Sequence, residues 1–270
     1  MNKSLKKLSV FISSVFIFLI HLPFVFAKTI PHNQAPSNIA SSTSNSNILL
    51  NTSELNTSKL DYHVNEEWPN SNKISVYDSL QLNTLGLSNQ AYGYAIRGFK
   101  SLRSMGKLSN DSIISIIDFS LSSAKKRLFV IDIKNYKVLY NTYVAHGRNS
   151  GAEYAKLFSN NPRSNKSSLG FYVTGNTYDG EHGYSLHLEG EEKGINDNAF
   201  KRAIVMHCAN YVNENYIRSK GYIGRSLGCP AIPEKIYRPI IDEIKDGSCL
   251  FLYSPNHYYL SHSRFLQQAS

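Results

Sequence analysis

Cysteine is scarce in this chain: Cys208, Cys229 and Cys249 are the only three in 270 residues. An odd, sparse set excludes the dense disulfide framework of small secreted domains and leaves at least one thiol over. No paired Cys-x-x-Cys, phosphate loop or dinucleotide fingerprint occurs, so the sequence calls for no cofactor. His146, His182, His187 and His207 lack the His-x-x-x-His spacing of a helical zinc site, so no metal is expected. No basic run is interleaved with stacking aromatics, so the net charge of +9 does not indicate nucleic acid. It suits an anionic surface, or simply keeps the chain soluble. Internal repeats and a second binding module are also absent.

The amino terminus reads as an export signal over residues 1–27. Lys3, Lys6 and Lys7 precede an apolar run from Leu8 to Ile20, and the tail Val25-Phe26-Ala27 suits a signal peptidase. An uncleaved anchor is the competing reading. His21, Pro23 and two serines break the stretch before it reaches the ~20 clean apolar residues of a spanning helix. After cleavage the chain is expected in the periplasm or cell envelope, without stable membrane insertion. Residues 28–74 are rich in Ser, Asn and Thr with no apolar period, which reads as a disordered linker.

A single domain is expected over residues 75–270. Ser88 can cap a helix whose Ala91, Tyr94, Ala95, Phe99 and Leu102 share one face, with Gly106 ending it. Short β-type runs follow at Ile113 to Phe119, Leu128 to Ile133, Val138 to Val144 and Gly170 to Thr174. A further helix is expected from Pro233, carrying Ile236, Ile240, Ile241 and Ile244 and stopping at Gly247. Cys249 to Tyr253 reads as a closing strand. The fold class is therefore mainly β with a few helices (α+β), around a largely antiparallel core.

The stretch with most chemical content is Ile204-Val205-Met206-His207-Cys208-Ala209, followed by Gly224-Arg225-Ser226-Leu227-Gly228-Cys229-Pro230-Ala231. A strand-like run delivers a histidine at its end, and a cysteine then arrives between a glycine and a proline. Those neighbours force a tight turn that can expose the sulfur and aim nearby amide N–H groups. A free thiol of pKa about 8.5 is only a few per cent ionised at neutral pH. A histidine within reach can take its proton and later return it to a departing amine. The N–H groups around Gly228 can then hold an oxyanion, each worth about 3 kcal/mol of barrier. The bland alternative is an ordinary buried thiol and an unrelated histidine.

The segment from His207 to Ala231 resembles the active-site signature of the L,D-transpeptidases (YkuD-type catalytic domain), in which a histidine precedes a Ser/Thr-x-Gly-Cys turn. The variant Gly-Arg-Ser-x-Gly-Cys-Pro-Ala is similar to a murein L,D-transpeptidase catalytic domain branch. The likeness extends through Val144-Ala145-His146-Gly147, Phe158-Ser159-Asn160, Ser167-Ser168-Leu169-Gly170-Phe171-Tyr172 and His182-Gly183-Tyr184-Ser185-Leu186, and covers roughly Tyr77 to Tyr253. It implies a β-sandwich catalytic domain acting on peptidoglycan stem peptides. Cys229 would be the nucleophile, His207 the base, and the backbone carbonyl of Cys208 the group that orients the imidazole. Leu227 and Pro230-Ala231 depart from the commoner Ser-His-Gly-Cys-aliphatic-Arg turn, which makes Arg225 the candidate for the substrate carboxylate. Ser226, His146, His182 and Tyr184 are further candidates for substrate contact, with Tyr222 beside them. Cys208 and Cys249 could pair, leaving Cys229 free. The implied reaction is a 3→3 cross-link through a Cys229 thioester. The alternatives are an L,D-carboxypeptidase, a non-catalytic wall-binding protein, and a glycosidase using Glu189, Glu191 and Glu192. The three glutamates read better as a charged turn, and His187 is expected to face solvent on a strand.

Overall fold

The computed structural model describes residues 75–267. The expected export signal and linker, residues 1–74, lie outside the described residues.

A short helix α1 (Val76–Ser79) leads into α2 (Asn89–Ser104). Ser88 caps α2 by accepting the Ala91 N–H at 3.1 Å, as its sequence position suggests. Ala91, Ala95, Phe99 and Leu102 recur on one buried stripe, and Gly106 turns the chain away at φ +66°. The strands are β1 (Ile113–Asp118), β2 (Leu128–Asp132), β3 (Lys137–Thr142), β4 (Gly170–Gly180), β5 (Gly183–Gly190), β6 (Val205–Ala209), β7 (Ala231–Pro233) and β8 (Cys249–Tyr253). Helices α3 (Glu214–Lys220), α4 (Tyr237–Ile244), α5 (His257–His262) and α6 (Arg264–Gln267) complete the chain. The class is mainly β with a few helices, as expected.

The strands run in the order β3-β2-β1-β8-β4-β5-β6-β7. Most pairings are antiparallel, but β1–β8 and β6–β7 are parallel. For β6–β7 the connection explains this: through α3 the chain returns to the end of the sheet where β6 began, so β7 runs alongside it in the same direction. β1 and β8 are buried on both faces, and their apolar runs, Ile113 to Ile117 broken only by the buried Ser115 and Cys249 to Tyr253, reflect that. Phe171 of β4 stacks on Phe251 of β8 with ring centroids 4.1 Å apart. Burying each such ring contributes roughly 1.5–3 kcal/mol.

Two boundaries differ from expectation. Pro233 ends β7 instead of opening α4, which starts at Tyr237 after a cap at Ile236. His207 lies in the middle of β6 because pairing with β7 carries that strand on to Ala209. All three cysteines are free, so the Cys208–Cys249 pairing is not made. Cys249 is fully buried in β8, whereas Cys208 sits half-exposed on β6.

Candidate active site

The register of two strands sets the site. His207 of β6 pairs with Ala231 of β7, and Cys229 precedes that strand by one proline. The histidine strand and the cysteine turn are therefore edge-to-edge neighbours. His207 Nδ1 lies 2.8 Å from the Cys208 carbonyl oxygen. A carbonyl only accepts, so the ring proton resides on Nδ1 and Nε2 is left as the basic nitrogen. Burial lowers the proton affinity of His207, the nearby His182 lowers it further, and the Cys208 carbonyl opposes both.

The Cys229 turn is held from several sides. Gly228 has φ +134°, a backbone region open to glycine and strained for any other residue. Ser226 Oγ donates to the Cys229 carbonyl at 2.6 Å and accepts the Gly228 N–H at 3.0 Å. Ser167 Oγ donates to the Gly228 carbonyl at 3.1 Å and accepts the Gly147 N–H at 3.0 Å. The chain after β3 runs beside the turn, with Ser226 N–H donating to the His146 carbonyl and Arg148 N–H to the Ser226 carbonyl.

The sulfur of Cys229 faces the segment that enters β6. Val205 N–H points at it from 3.5 Å, and the thiol donates to the Ala203 carbonyl at 3.6 Å. Burial raises its pKa, while the Val205 N–H and the Arg202 guanidinium favour the thiolate. Arg202 is itself anchored, donating to the carbonyls of Ser159 at 2.8 Å and Lys166 at 2.7 Å. Leu227, 62 % exposed, forms an apolar rim beside the turn.

The remaining sequence candidates divide by place. His182, exposed at the tip of the β4–β5 hairpin, stacks on His207 with centroids 4.2 Å apart and planes 19° from parallel. Tyr184 pairs with the opposite sheet face: its hydroxyl donates to Asp242 at 2.6 Å, and Arg238 covers its ring at 4.3 Å. His146 does not line a cleft. It is fully buried, accepts from Arg127 at Nδ1 (2.7 Å), and donates from Nε2 to the Gly151 carbonyl (3.3 Å). Ser226 faces inward to brace the turn, and Gly228 spends its N–H on that serine, so neither is presented to a substrate. Arg225 is exposed and donates to the Gly151 carbonyl at 3.1 Å. Tyr222 is half-buried in the loop after α3.

His187 is not simply solvent-facing, because its ring lies between Tyr178 and Phe200. Glu192 overturns the charged-turn reading. It is buried, and its carboxylate accepts from the Phe171 N–H (2.8 Å), the Tyr259 hydroxyl (3.1 Å) and Ser263. Glu191 pairs with Lys107 at 3.3 Å, so the cluster is divided between structural roles. Among the described residues no group of three or more His, Cys, Asp or Glu is placed to hold a metal ion. Sequence reasoning missed Ser167, Arg202, Ala203 and the Val205 N–H. The first is remote in sequence, and the last two act through backbone atoms that residue type does not reveal.

The model of the L,D-transpeptidase catalytic domain matches residues 83–253, well over half of the chain, and the chain belongs to that family. Among solved structures, it is similar to an L,D-transpeptidase from Mycobacterium smegmatis at 12 % identity and TM-score 0.33, covering 53 % of this chain and 59 % of that one. L,D-transpeptidase 1 from Mycobacterium tuberculosis matches at 12 % identity and TM-score 0.31, covering 53 % and 62 %. The helical cell shape determining protein from Campylobacter jejuni matches at 11 % identity and TM-score 0.34, covering 54 % and 48 %. The matched region thus spans about half to three-fifths of those proteins' own length. No curated protein sequence matches the chain.

Proposed function

We propose that this protein is an exported acyltransferase of the cell envelope that forms 3→3 cross-links between peptidoglycan stem peptides. The observation that carries the reading is a cysteine on a braced turn beside a strand histidine whose tautomer leaves Nε2 basic. Cys229 Sγ attacks the carbonyl on the L-centre of the third residue of a tetrapeptide stem while His207 Nε2 takes the thiol proton. The tetrahedral intermediate collapses, the C–N bond to the terminal D-alanine breaks, and His207 returns the proton to the leaving amine. A thioester on Cys229 remains. An amine from a neighbouring stem then attacks it, gives its proton to His207, and the new amide releases the thiol. Family membership supports stem peptides as the substrate class. Among the described residues no helix is long and apolar enough to cross a membrane.

The test is incubation of the purified protein with defined tetrapeptide muropeptides, followed by mass spectrometry of intact protein and products. A protein adduct with loss of D-alanine and formation of dimers is expected, with Cys229→Ala inactive. Equal products from Cys229→Ala would sink the assignment. Tripeptide without dimer would make water the acceptor and the enzyme an L,D-carboxypeptidase.

A further inference from the structure

One sheet face carries more than the candidate catalytic pair. Register places Tyr178 beside Ser185 and His187 beside Val205, so Tyr178, His187 and His207 project from the same face of β4, β5 and β6. Tyr178 and His187 stack with centroids 4.4 Å apart and planes 16° from parallel, and Phe200 follows His187 at 5.7 Å. Phe200 is 66 % exposed and Tyr178 37 % exposed. Two rings this exposed, joined through His187 into one row, ask for an occupant. The stack is also built for: a Cβ on Gly180 would lie 2.5 Å from the Tyr178 ring, so only glycine lets that ring lie where it does.

We propose that the row Tyr178–His187–Phe200 is a glycan-seating ledge, against which the sugar ring bearing the attacked stem peptide stacks. The proposal rests on the acyl-transfer reading and adds a second part of the same substrate. Flat rings carrying a hydroxyl and an imidazole nitrogen match a pyranose, which offers an apolar C–H face edged by hydroxyls. A greasy protein partner would prefer a continuous apolar patch, whereas the Tyr178 hydroxyl and the His187 imidazole lie within this row and charged Lys201 directly follows Phe200. Lengths agree as well. β5, which carries the His187 ring, lies two strands from β7, which the cysteine turn enters, about 10 Å across the sheet. Three extended residues, from the attacked third residue back to the sugar, span about 10 Å. The ledge is continuous with the site, since the Val205 that pairs with His187 also directs its N–H at Cys229 Sγ.

The experiment compares disaccharide tetrapeptide with the free tetrapeptide, and separately measures co-sedimentation with glycan strands stripped of their peptides. Phe200→Ala and Tyr178→Ala are expected to raise KM for the disaccharide substrate by about tenfold and leave the free peptide unchanged. Both variants should also lose co-sedimentation, a readout independent of catalysis. Equal effects on both substrates, no effect on either, or stripped glycan that the parent protein ignores would overturn the ledge. Cross-linking of free peptide in that last case would leave the acyl-transfer reading standing. Glycan binding that Phe200→Ala abolishes, in a protein that acylates nothing, would leave the ledge standing without it.

Discussion

A thiol that burial holds protonated works best with a base that burial keeps neutral, and Cys229 and His207 are shifted in those two directions. The Cys229 value is raised, so its thiolate appears only as pH climbs past the ordinary thiol range near 8.5. The His207 value is lowered, so its imidazole is uncharged throughout the region above about 6.5. At neutral pH the resting pair is therefore thiol plus imidazole, and in the proposed reaction proton transfer would accompany attack instead of preceding it. Alkylation of Cys229 by iodoacetamide, followed on its own tryptic peptide, should accelerate with pH to a midpoint above 8.5. A rate already at its plateau below pH 7 would instead mean a preformed thiolate–imidazolium pair. His182 contributes to the His207 shift, so His182→Ala should move the acid limb of the pH–rate profile upward, toward the ordinary imidazole value. An unmoved limb would show that the stacked ring has no electrostatic effect on the base.

At the scale of elements, the cysteine turn depends on groups that arrive from elsewhere in the chain. A Cβ on Gly228 would sit 3.0 Å from both the Ile204 side chain and the Lys166 carbonyl, on a backbone already at φ +134°. Gly228→Ala should therefore lower the melting temperature, with a cost above about 1 kcal/mol, and abolish acyl-enzyme formation. Retention of wild-type acylation would mean that turn geometry is not what presents the sulfur. Ser167→Ala would leave the buried Gly147 N–H and Gly228 carbonyl short of a partner, at about 1–3 kcal/mol by urea unfolding. The helix α2, its Ser88 cap and the buried strands β1 and β8 were legible in the sequence because period and capping are local signals. That the cysteine turn lies beside the histidine strand was legible through a motif whose members lie close together in the chain. Ser167 was not, being 61 residues from the carbonyl it holds. Nor was the end of β4, which runs past Thr174 to Gly180 through a polar, partly exposed stretch. Glu192 was misread because Tyr259 and Ser263, which bury it, come 67 and 71 residues later.

Across the whole molecule, Arg127 and His146 tie the β2–β3 half of the sheet to the segment that braces the cysteine turn. Arg127 is fully buried, and its guanidinium donates to the Val144 and Leu121 carbonyls and to His146 Nδ1. Burial holds its pKa down at about 9, with buried Asp118 opposing that shift. Burial and this neighbouring cation push His146 down to about 3, so the folded protein keeps it neutral. An unfolded chain protonates the same histidine near pH 6.5. Below that value the unfolded state binds the additional proton, so the His146 contribution is complete above about 6.5 and falls away with acidification. The slope from one such group is about 1.4 kcal/mol per pH unit. His207, also lowered, adds to the loss in the same direction. Asp118 and Glu192 act oppositely: their raised values let the folded chain take up protons first, which offsets part of the loss as pH approaches the carboxylate range. Urea unfolding between pH 8 and pH 5 should thus show stability that is flat above 6.5 and declines below it. His146→Asn should cost stability at pH 8 yet flatten the decline, because the variant has no imidazole for the unfolded chain to protonate at that position. An identical slope in parent and variant would place the acid sensitivity elsewhere and remove His146 from the link between the sheet and the turn.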